Sequence, residues 1–311
     1  MKHSIIIKTT LLILFTFWIS SSYAQDLEPR SLSSIPIGGN FAIASYGYST
    51  GNILVDNSLP IENLDAQLHN AVFAYAHSFK LFNKLAKFDA IIPYSFGTFT
   101  ATVIDADSST SRNGFADPLL RLSVVLIGGQ PLSIADFIKH EQNKFKLGAV
   151  FRLRLPLGQY DPTKFINLGA NRWAFKLGIA SSYTFFKKLT LELHANSWFF
   201  TENKEFFNGN TIRQKPLLSL QLHITYVFKP GVWIALSTGR SGLGETIVNG
   251  VEKNDLQQNS RIGLTFAHKL SKHHALKAGI TSGISTRYGA NFTTVLIAYQ
   301  FMWFSKTKQT K

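Results

Sequence analysis

The sequence predicts an all-β fold: an antiparallel transmembrane β-barrel of the outer-membrane type with about 12 strands. First, hydrophobic and polar residues alternate one by one in segments of about a dozen residues, which is the period of a strand with two different faces. Second, no stretch after Gln25 contains the 18 consecutive apolar residues that indicate a transmembrane helix. Third, short and long connections alternate between the strands, as the periplasmic turns and extracellular loops of such barrels do.

The first 24 residues predict a cleaved signal peptide. Lys2 and Lys8 precede the short apolar segment 11–19, and Ser22-Tyr23-Ala24 is a small-residue cleavage site. A membrane anchor is the weaker alternative, because a helix needs about 20 apolar residues to cross a bilayer. We therefore expect export, with cleavage after Ala24.

Charge and cysteine content exclude several classes of protein. The chain has 32 Lys and Arg, 18 Asp and Glu, and no Cys, so it has neither a disulfide scaffold nor a thiolate metal site. Its formal net charge of +14 at pH 7 is spread singly through apolar stretches, so we expect no nucleic-acid partner. No phosphate loop, dinucleotide fingerprint, hydrolase elbow or zinc-protease motif occurs. We therefore expect no cofactor, no metal and no catalytic residues.

The strand 145–158 shows the alternation most clearly. Phe151 and Leu153 lie on one face of it, whereas Arg152 and Arg154 lie on the other. In an outer-membrane barrel the apolar face contacts lipid and the charged face lines the lumen. In chain order the predicted strands are 39–50, 67–80, 86–104, 115–127, 145–158, 171–185, 189–203, 215–229, 231–243, 259–271, 275–287 and 292–304.

The connections divide into two kinds. Tight turns are predicted at 81–85, 186–188, 229–231 and 271–274, and longer polar loops at 51–66, 105–114, 159–170, 204–214 and 244–258. One connection, 128–144, is long although its position requires a turn. Ser133, Asp136 and the apolar Ile134 in it indicate a short amphipathic helix on the periplasmic side.

The barrel is predicted over residues 39–304, after an N-terminal periplasmic segment at 25–38 and before a basic C-terminal tail at 305–311. The final strand, 292–304, is rich in aromatic residues, which lie at the membrane interface in such barrels. We expect outer-membrane lipids as partners and, through this aromatic strand, the barrel-assembly machinery. The expected location is the outer membrane of a Gram-negative-type bacterium.

Two neighbouring predicted strands carry an inward-facing polar set. Glu192 and His194 lie on the first strand, and Ser219, Gln221 and His223 lie on the second. A serine, a histidine and an acid could carry out acyl transfer. A water-filled barrel also needs a hydrogen-bonded polar lining. Because no spacing here is diagnostic of an enzyme, we favour the lining.

Basic residues outnumber acidic residues on the inward parities. The cations are Arg121, Arg152, Arg154, Arg172, Lys176, Arg261, Lys277 and Arg287, and the anions are Asp89, Asp117 and Glu192. One interpretation is a ladder of ion pairs that stiffens the barrel. The other is an electropositive conduit for anionic or electron-rich solutes. The parity of several strands is ambiguous and could conceal further acids, so the ladder is favoured.

A longer segment carries a resemblance to a known family. It begins at Pro156 and includes Tyr160, Asp161, Asn171, Arg172 and Trp173. Together with Leu27-Glu28-Pro29-Arg30, Gly39-Asn40-Phe41, Asp117-Pro118 and Ala298-Tyr299-Gln300, it resembles the outer-membrane family named for the MetA pathway of phenol degradation. The resemblance implies a transporter, grouped loosely with outer-membrane channels for aromatic hydrocarbons and fatty acids, and makes these signature positions candidates for function.

The N-terminal segment departs from the hydrocarbon channels, which carry a substantial plug. About a dozen residues, Gln25 to Ile37, precede the first strand. They are too few for a full plug but could tuck into the lumen as a small stopper.

We therefore expect a channel for passive passage of small hydrophobic or aromatic solutes. The alternatives are a closed structural barrel without a pore and, less favoured, a lipid hydrolase. A barrel of about eight strands is filled by side chains and one of 16–18 strands holds an aqueous channel, so twelve strands do not decide between channel and closed barrel.

Overall fold

A computed structural model describes residues 27–55 and 61–305 of the chain. The predicted signal peptide and most of the predicted basic tail lie outside these described residues. Among the described residues, no helix is long and apolar enough to cross a membrane.

The described chain folds into a closed 12-stranded antiparallel barrel, which confirms the predicted fold class. The strands are β1 Gly39–Leu54, β2 Ile61–Leu81, β3 Lys84–Val103, β4 Ala106–Phe115, β5 Leu119–Ile127, β6 Phe145–Arg154, β7 Ala174–Phe185, β8 Leu189–Phe200, β9 Asn203–Phe206, β10 Asn210–Gln214, β11 Leu217–Lys229, β12 Val232–Leu243, β13 Thr246–Val248, β14 Val251–Glu252, β15 Gln257–Lys269, β16 His274–Ser285 and β17 Gly289–Phe304. The barrel closes where β1 pairs with β17, from Gly39 opposite Phe304 to Leu54 opposite Gly289.

Neighbouring strands of the wall follow one another in the chain. At one place two strands, β4 and β5, pair with the same neighbour, β3. The extracellular half of β3 pairs with β4 and its other half pairs with β5. Beyond the wall, β9, β10, β13 and β14 form a separate four-stranded sheet. Each predicted strand has a counterpart in the wall.

The predicted boundaries were wrong at the extracellular end. Residues assigned to the loops 105–114, 204–214 and 244–258 form β4 and the small separate sheet, because hairpins outside the membrane need no apolar face. The predicted strands 145–158 and 171–185 are shorter than expected, since β6 ends at Arg154 and β7 begins at Ala174.

The helix predicted within 128–144 is confirmed as α1, Ile134–Lys139. Ser133 caps its N-terminus, because the Ser133 side chain accepts a hydrogen bond of 3.2 Å from the Asp136 backbone N–H. The helix lies on the short-turn side of the barrel and buries none of its residues.

Burial confirms the inside-out arrangement of the wall. On β11, the inward Ser219 and His223 are buried, whereas the alternating Leu218 and Leu220 are 47% and 58% exposed. Such a surface is stable only where lipid replaces water around it. The outer face therefore defines the membrane-contacting surface.

The described part of the 25–38 segment, Leu27 to Ile37, lies inside the barrel wall. Leu32 is 1% exposed and packs against Leu85, Val125 and Ala180, which are inward residues of β3, β5 and β7. A side chain at Gly148 would place its Cβ 2.5 Å from Leu32, so glycine makes room for the segment. The chain then leaves the interior, with the Gly38 N–H donating to the Ser78 carbonyl at 2.7 Å.

Closure of the sheet predicts resistance to denaturing detergent, because a closed barrel has no free edge and satisfies its backbone internally. Unheated protein should migrate faster than boiled protein in a denaturing gel. Identical mobility together with a helical circular dichroism spectrum would contradict the barrel.

Candidate functional site

The middle of the lumen holds a network of partly buried ion pairs. Arg121 Nε donates to Asp89 Oδ2 at 2.7 Å, and Arg121 Nη1 donates to Glu28 Oε2 at 2.7 Å. The second oxygen of Glu28 accepts from Arg152, which is 1% exposed. A charge this deeply buried needs a partner. Arg121 and Arg152 therefore take part in a ladder that ties the N-terminal segment to the wall.

A second polar cluster lies nearer the periplasmic end. Glu192 accepts a hydrogen bond from the Arg30 backbone N–H, and the Ser31 hydroxyl lies 3.1 Å from His194 Nε2. The guanidinium of Arg30 lies 5.3 Å from the ring centroid of Trp233. Burial lowers the pKa of Arg30 more than the charge of Glu192 raises it. These contacts attach the segment to β8 and β12.

The histidines predicted to face inward do so, but their hydrogen-bond contacts are to residues other than the predicted Ser219. The rings of His194 and His223 lie 4.7 Å apart. His223 contacts Ser237 at 2.8 Å and Gln221 at 3.2 Å, while Ser219 is 3.4 Å from Asn196. The serine and the histidine thus have other partners, and the cluster has the form of a hydrogen-bonded lining.

Cations and aromatic rings meet at the extracellular end of β6, β7 and β8. The guanidinium of Arg154 lies 5.3 Å from the ring centroid of Trp198, and that of Arg172 lies 4.7 Å from the ring centroid of Phe200. The Lys176 ammonium lies 5.7 Å from the Trp198 ring. Burial, followed by the charge of Arg154, lowers the pKa of Arg172 to about 10. This arrangement defines the Arg/aromatic cluster: Arg154, Arg172, Lys176, Trp198 and Phe200.

The remaining predicted cations lie apart from this cluster. Arg261 donates to the Phe292 carbonyl at 3.3 Å. Lys277 lies opposite the inward Ala267 and Ala298 and is exposed to the lumen. Arg287, which was expected to face inward, was assigned wrongly: it is exposed in the connection after β16, 5.5 Å from the ring of Tyr288.

The family-signature residues mostly build the extracellular connection between β6 and β7. Tyr160 Oη donates to the Glu205 carbonyl at 2.9 Å, and Asn171 Nδ2 donates to Asn203 at 3.1 Å. The Trp173 N–H donates to Thr201 at 3.0 Å. Two hydrogen bonds from Thr163 lower the pKa of Asp161. The signature therefore specifies the shape of a loop, apart from Arg172.

Asp117 holds this connection against the barrel. Its carboxylate accepts the Gly158 N–H at 3.0 Å and the Ala170 N–H at 2.9 Å. A Cβ atom at Gly158 or Gly169 would lie 2.8 or 2.9 Å from the carboxylate, closer than ordinary packing permits. Both glycines allow this approach.

An apolar pocket of about 280 Å³ opens beside the same connection. It is lined by Leu64, Phe99, Phe165, Ile166 and Phe207, among others. Phe165 and Phe207 meet edge to face with their centroids 5.6 Å apart. This extracellular pocket joins the buried apolar group of Leu64, Ala66 and Phe99 on β2 and β3.

Sequence reasoning missed the roles of Glu28, Trp198 and Phe200. Glu28 belongs to a quoted family motif, yet no periodicity shows that a segment before the first strand enters the lumen. Trp198 and Phe200 have the inward parity of Glu192 and His194, and that signal could have found them. The contact of Trp198 with Arg154 depends on the register between strands.

A closed antiparallel barrel with an apolar outer surface and a charged interior is the architecture of outer-membrane β-barrel proteins. The family described as MetA-pathway of phenol degradation matches residues 45–299. The chain belongs to that family.

A solved outer membrane channel shares the fold, and two further structures superpose less well. An outer membrane channel from Pseudomonas putida superposes with a TM-score of 0.74 at 19% sequence identity, covering 89% of this chain and 100% of that chain. The β domain of a Bordetella autotransporter has a TM-score of 0.49 at 12% identity, over 85% of this chain and 99% of that one. A FadL homologue from Pseudomonas aeruginosa has a TM-score of 0.41 at 8% identity, over 86% and 90%. A search of curated proteins found no match.

Proposed function

We propose that the protein is a passive outer-membrane channel for small hydrophobic or aromatic solutes. The observation that carries this proposal is the extracellular pocket, whose lining includes the partly exposed Phe165, Ile166 and Phe207 outside the membrane. Its volume of about 280 Å³ exceeds the roughly 150 Å³ of an apolar cavity that binds benzene. A pocket of this size and lining suits a solute of one or two rings.

Apolar side chains recur on the inner wall below this pocket, beyond the polar Asn70 of β2 and Thr294 of β17. On β2, Val72 and Ala74 alternate with the outward Phe73, which is 60% exposed. On β17, Leu296 and Ala298 alternate with outward residues in the same way. These inward side chains are apolar and mostly small. An apolar solute can therefore contact them without removing water from polar groups of the wall.

The side-chain contacts of Glu28 and Arg30 lie on another part of the wall, whereas the end of the segment passes β2, where the Ser78 hydroxyl donates to the Pro36 carbonyl at 2.6 Å. Glu28 is bonded to Arg121 and Arg152 of β5 and β6, and Arg30 and Ser31 contact β8. This placement supports a route along the β1, β2 and β17 side of the lumen. A closed structural barrel remains the competing proposal, and it requires no apolar pocket at the mouth.

Uptake of the neutral aromatic dye N-phenylnaphthylamine tests this function, because the dye fluoresces only after passing into an apolar phase. Cells that display the barrel should take up the dye several-fold faster than cells with empty vector. Phe165→Ser combined with Phe207→Ser should slow uptake, since both rings line the pocket. Phe186→Ser, at a periplasmic turn where the ring is 91% exposed, is the matched control and should not. Equal uptake with and without folded barrel would contradict the proposal.

A further inference from the structure

Four arginines of the lumen fall into two groups. Arg121 and Arg152 are held by Glu28 and Asp89. Arg154 and Arg172, at the extracellular end, form no ion pair within residues 27–55 and 61–305. These four arginines therefore divide into a structural ladder in the middle of the barrel and, above it, two guanidinium groups that form no ion pair in the described part of the chain.

The guanidinium of Arg172 has N–H groups that are not used in hydrogen bonds to the described residues. Arg172 Nη2 donates to Gln214 Oε1 at 2.5 Å, while its Nη1 is buried without a hydrogen-bond partner in the described part of the chain. Asp117 attracts Arg172 electrostatically, but backbone N–H groups of Gly158 and Ala170 already donate to its two oxygens. A buried donor without a partner is costly, so an anion at this place would be stabilised.

The aromatic rings beside the arginines favour a ligand that carries an aromatic group next to its anionic group. Trp198 and Phe200 lie with their planes 13° apart and their centroids 6.4 Å apart, and Trp198 packs with Ala174 and Leu217. A guanidinium held over an aromatic ring keeps its N–H groups available in its own plane. Trp198 is buried at 4% exposure, whereas Phe200 is partly exposed, so Phe200 offers the aromatic surface next to the planar donors.

We propose that Arg154 and Arg172, together with Trp198 and Phe200, form a binding site for small aromatic carboxylates on the way through the barrel. The two oxygens of a carboxylate match the fork of N–H groups on a guanidinium, and the ring of the solute contacts the aromatic side chains. This inference rests on the proposed function, because it assumes that small aromatic solutes pass through the barrel. It adds aromatic carboxylates to the solutes that the channel accepts.

Binding of benzoate to the purified, detergent-solubilised barrel tests the site by calorimetry. Benzamide has the same ring without the charge, and acetate has the charge without the ring. Each should bind at least roughly tenfold more weakly than benzoate, because charge-assisted hydrogen bonds are about twice as strong as neutral ones and acetate lacks the apolar contact. Equal affinity for benzoate and benzamide would overturn the proposal.

Arg154→Gln combined with Arg172→Gln should weaken benzoate binding by roughly tenfold or more. Arg213→Gln is the matched control: Arg213 is an exposed arginine paired with Glu202 at 2.8 Å, and its loss should leave benzoate affinity unchanged.

If the double glutamine variant fails the gel-mobility test for folding, benzoate binding is measured with Arg154→Lys combined with Arg172→Lys instead. Lysine keeps the charge but cannot form the planar fork, so wild-type affinity in this variant would overturn the site.

The dye assay keeps this inference separate from the proposed function. Arginine-dependent benzoate binding without accelerated dye uptake would contradict the route for apolar solutes and leave the anion site standing. Accelerated dye uptake by wild type, with benzoate binding that does not depend on these arginines, would refute the anion site and leave the channel standing.

Discussion

Ile179→Arg is expected to reduce barrel assembly severely. Ile179 points outward, is 59% exposed, and lies halfway along β7 between the outward Phe175 and Tyr183. These aromatic residues mark the two membrane interfaces, so position 179 is close to the bilayer midplane. An arginine at that depth costs about 2–4 kcal/mol. The fraction of heat-modifiable protein in the membrane should therefore fall sharply.

Two controls separate charge and depth from side-chain size. Ile179→Phe keeps an apolar surface and should assemble normally. Leu153→Arg places the same charge near the extracellular interface, because Leu153 is opposite Phe175 and one residue from the end of β6. Its cost should be only about 0–1 kcal/mol. Equal damage from both arginine variants would mean that the membrane is positioned differently.

Glu28→Gln is expected to destabilise the folded barrel and loosen its N-terminal segment. Glu28 is bonded to both Arg121 and Arg152, and hydrogen bonds between charged groups contribute about 1.5–3 kcal/mol each when they are removed from water. The glutamine keeps the size of the side chain but loses the charge. A lower thermal unfolding midpoint in detergent is the expected result.

Glu202→Gln is the matched control for this change. Glu202 pairs with Arg213, whose side chain is 68% exposed, and an exposed pair of this kind contributes about 0–1 kcal/mol. Its unfolding midpoint should stay close to that of wild type. If Glu28→Gln behaves like Glu202→Gln, the pairs in the lumen are as well solvated as the surface pair, and the segment is held by Leu32 and its apolar neighbours instead.

The alternation of residues was sufficient to predict the wall because lipid and water impose opposite demands on successive side chains. The strand around Leu218, Ser219 and Leu220 could be assigned by that rule alone. Outside the membrane no lipid contacts the strands, so apolar and polar side chains need not alternate along them. The strands β4, β9 and β10 consist largely of polar residues, and β13 and β14 have only three and two residues. These segments were therefore assigned mostly to loops.

Sequence parity also identified most of the residues that line the lumen, but not their partners. Arg121 and Asp89 were both placed inward, and the structure joins them at 2.7 Å. Glu28 was missed because only the three-dimensional path of the chain brings it to Arg152. The distinction between paired and unpaired arginines likewise depends on register across strands, which no single strand reveals.

The most direct test of the channel is solute flux into liposomes that contain lipopolysaccharide and the purified barrel. The flux of an aromatic alcohol is compared with that of a sugar of similar size, with wild-type protein and with the Phe165→Ser, Phe207→Ser variant. Wild-type protein should accelerate the aromatic solute much more than the sugar, and the variant should lose most of this preference. Equal acceleration of both solutes, or none with correctly folded protein, would contradict a channel for small hydrophobic or aromatic solutes.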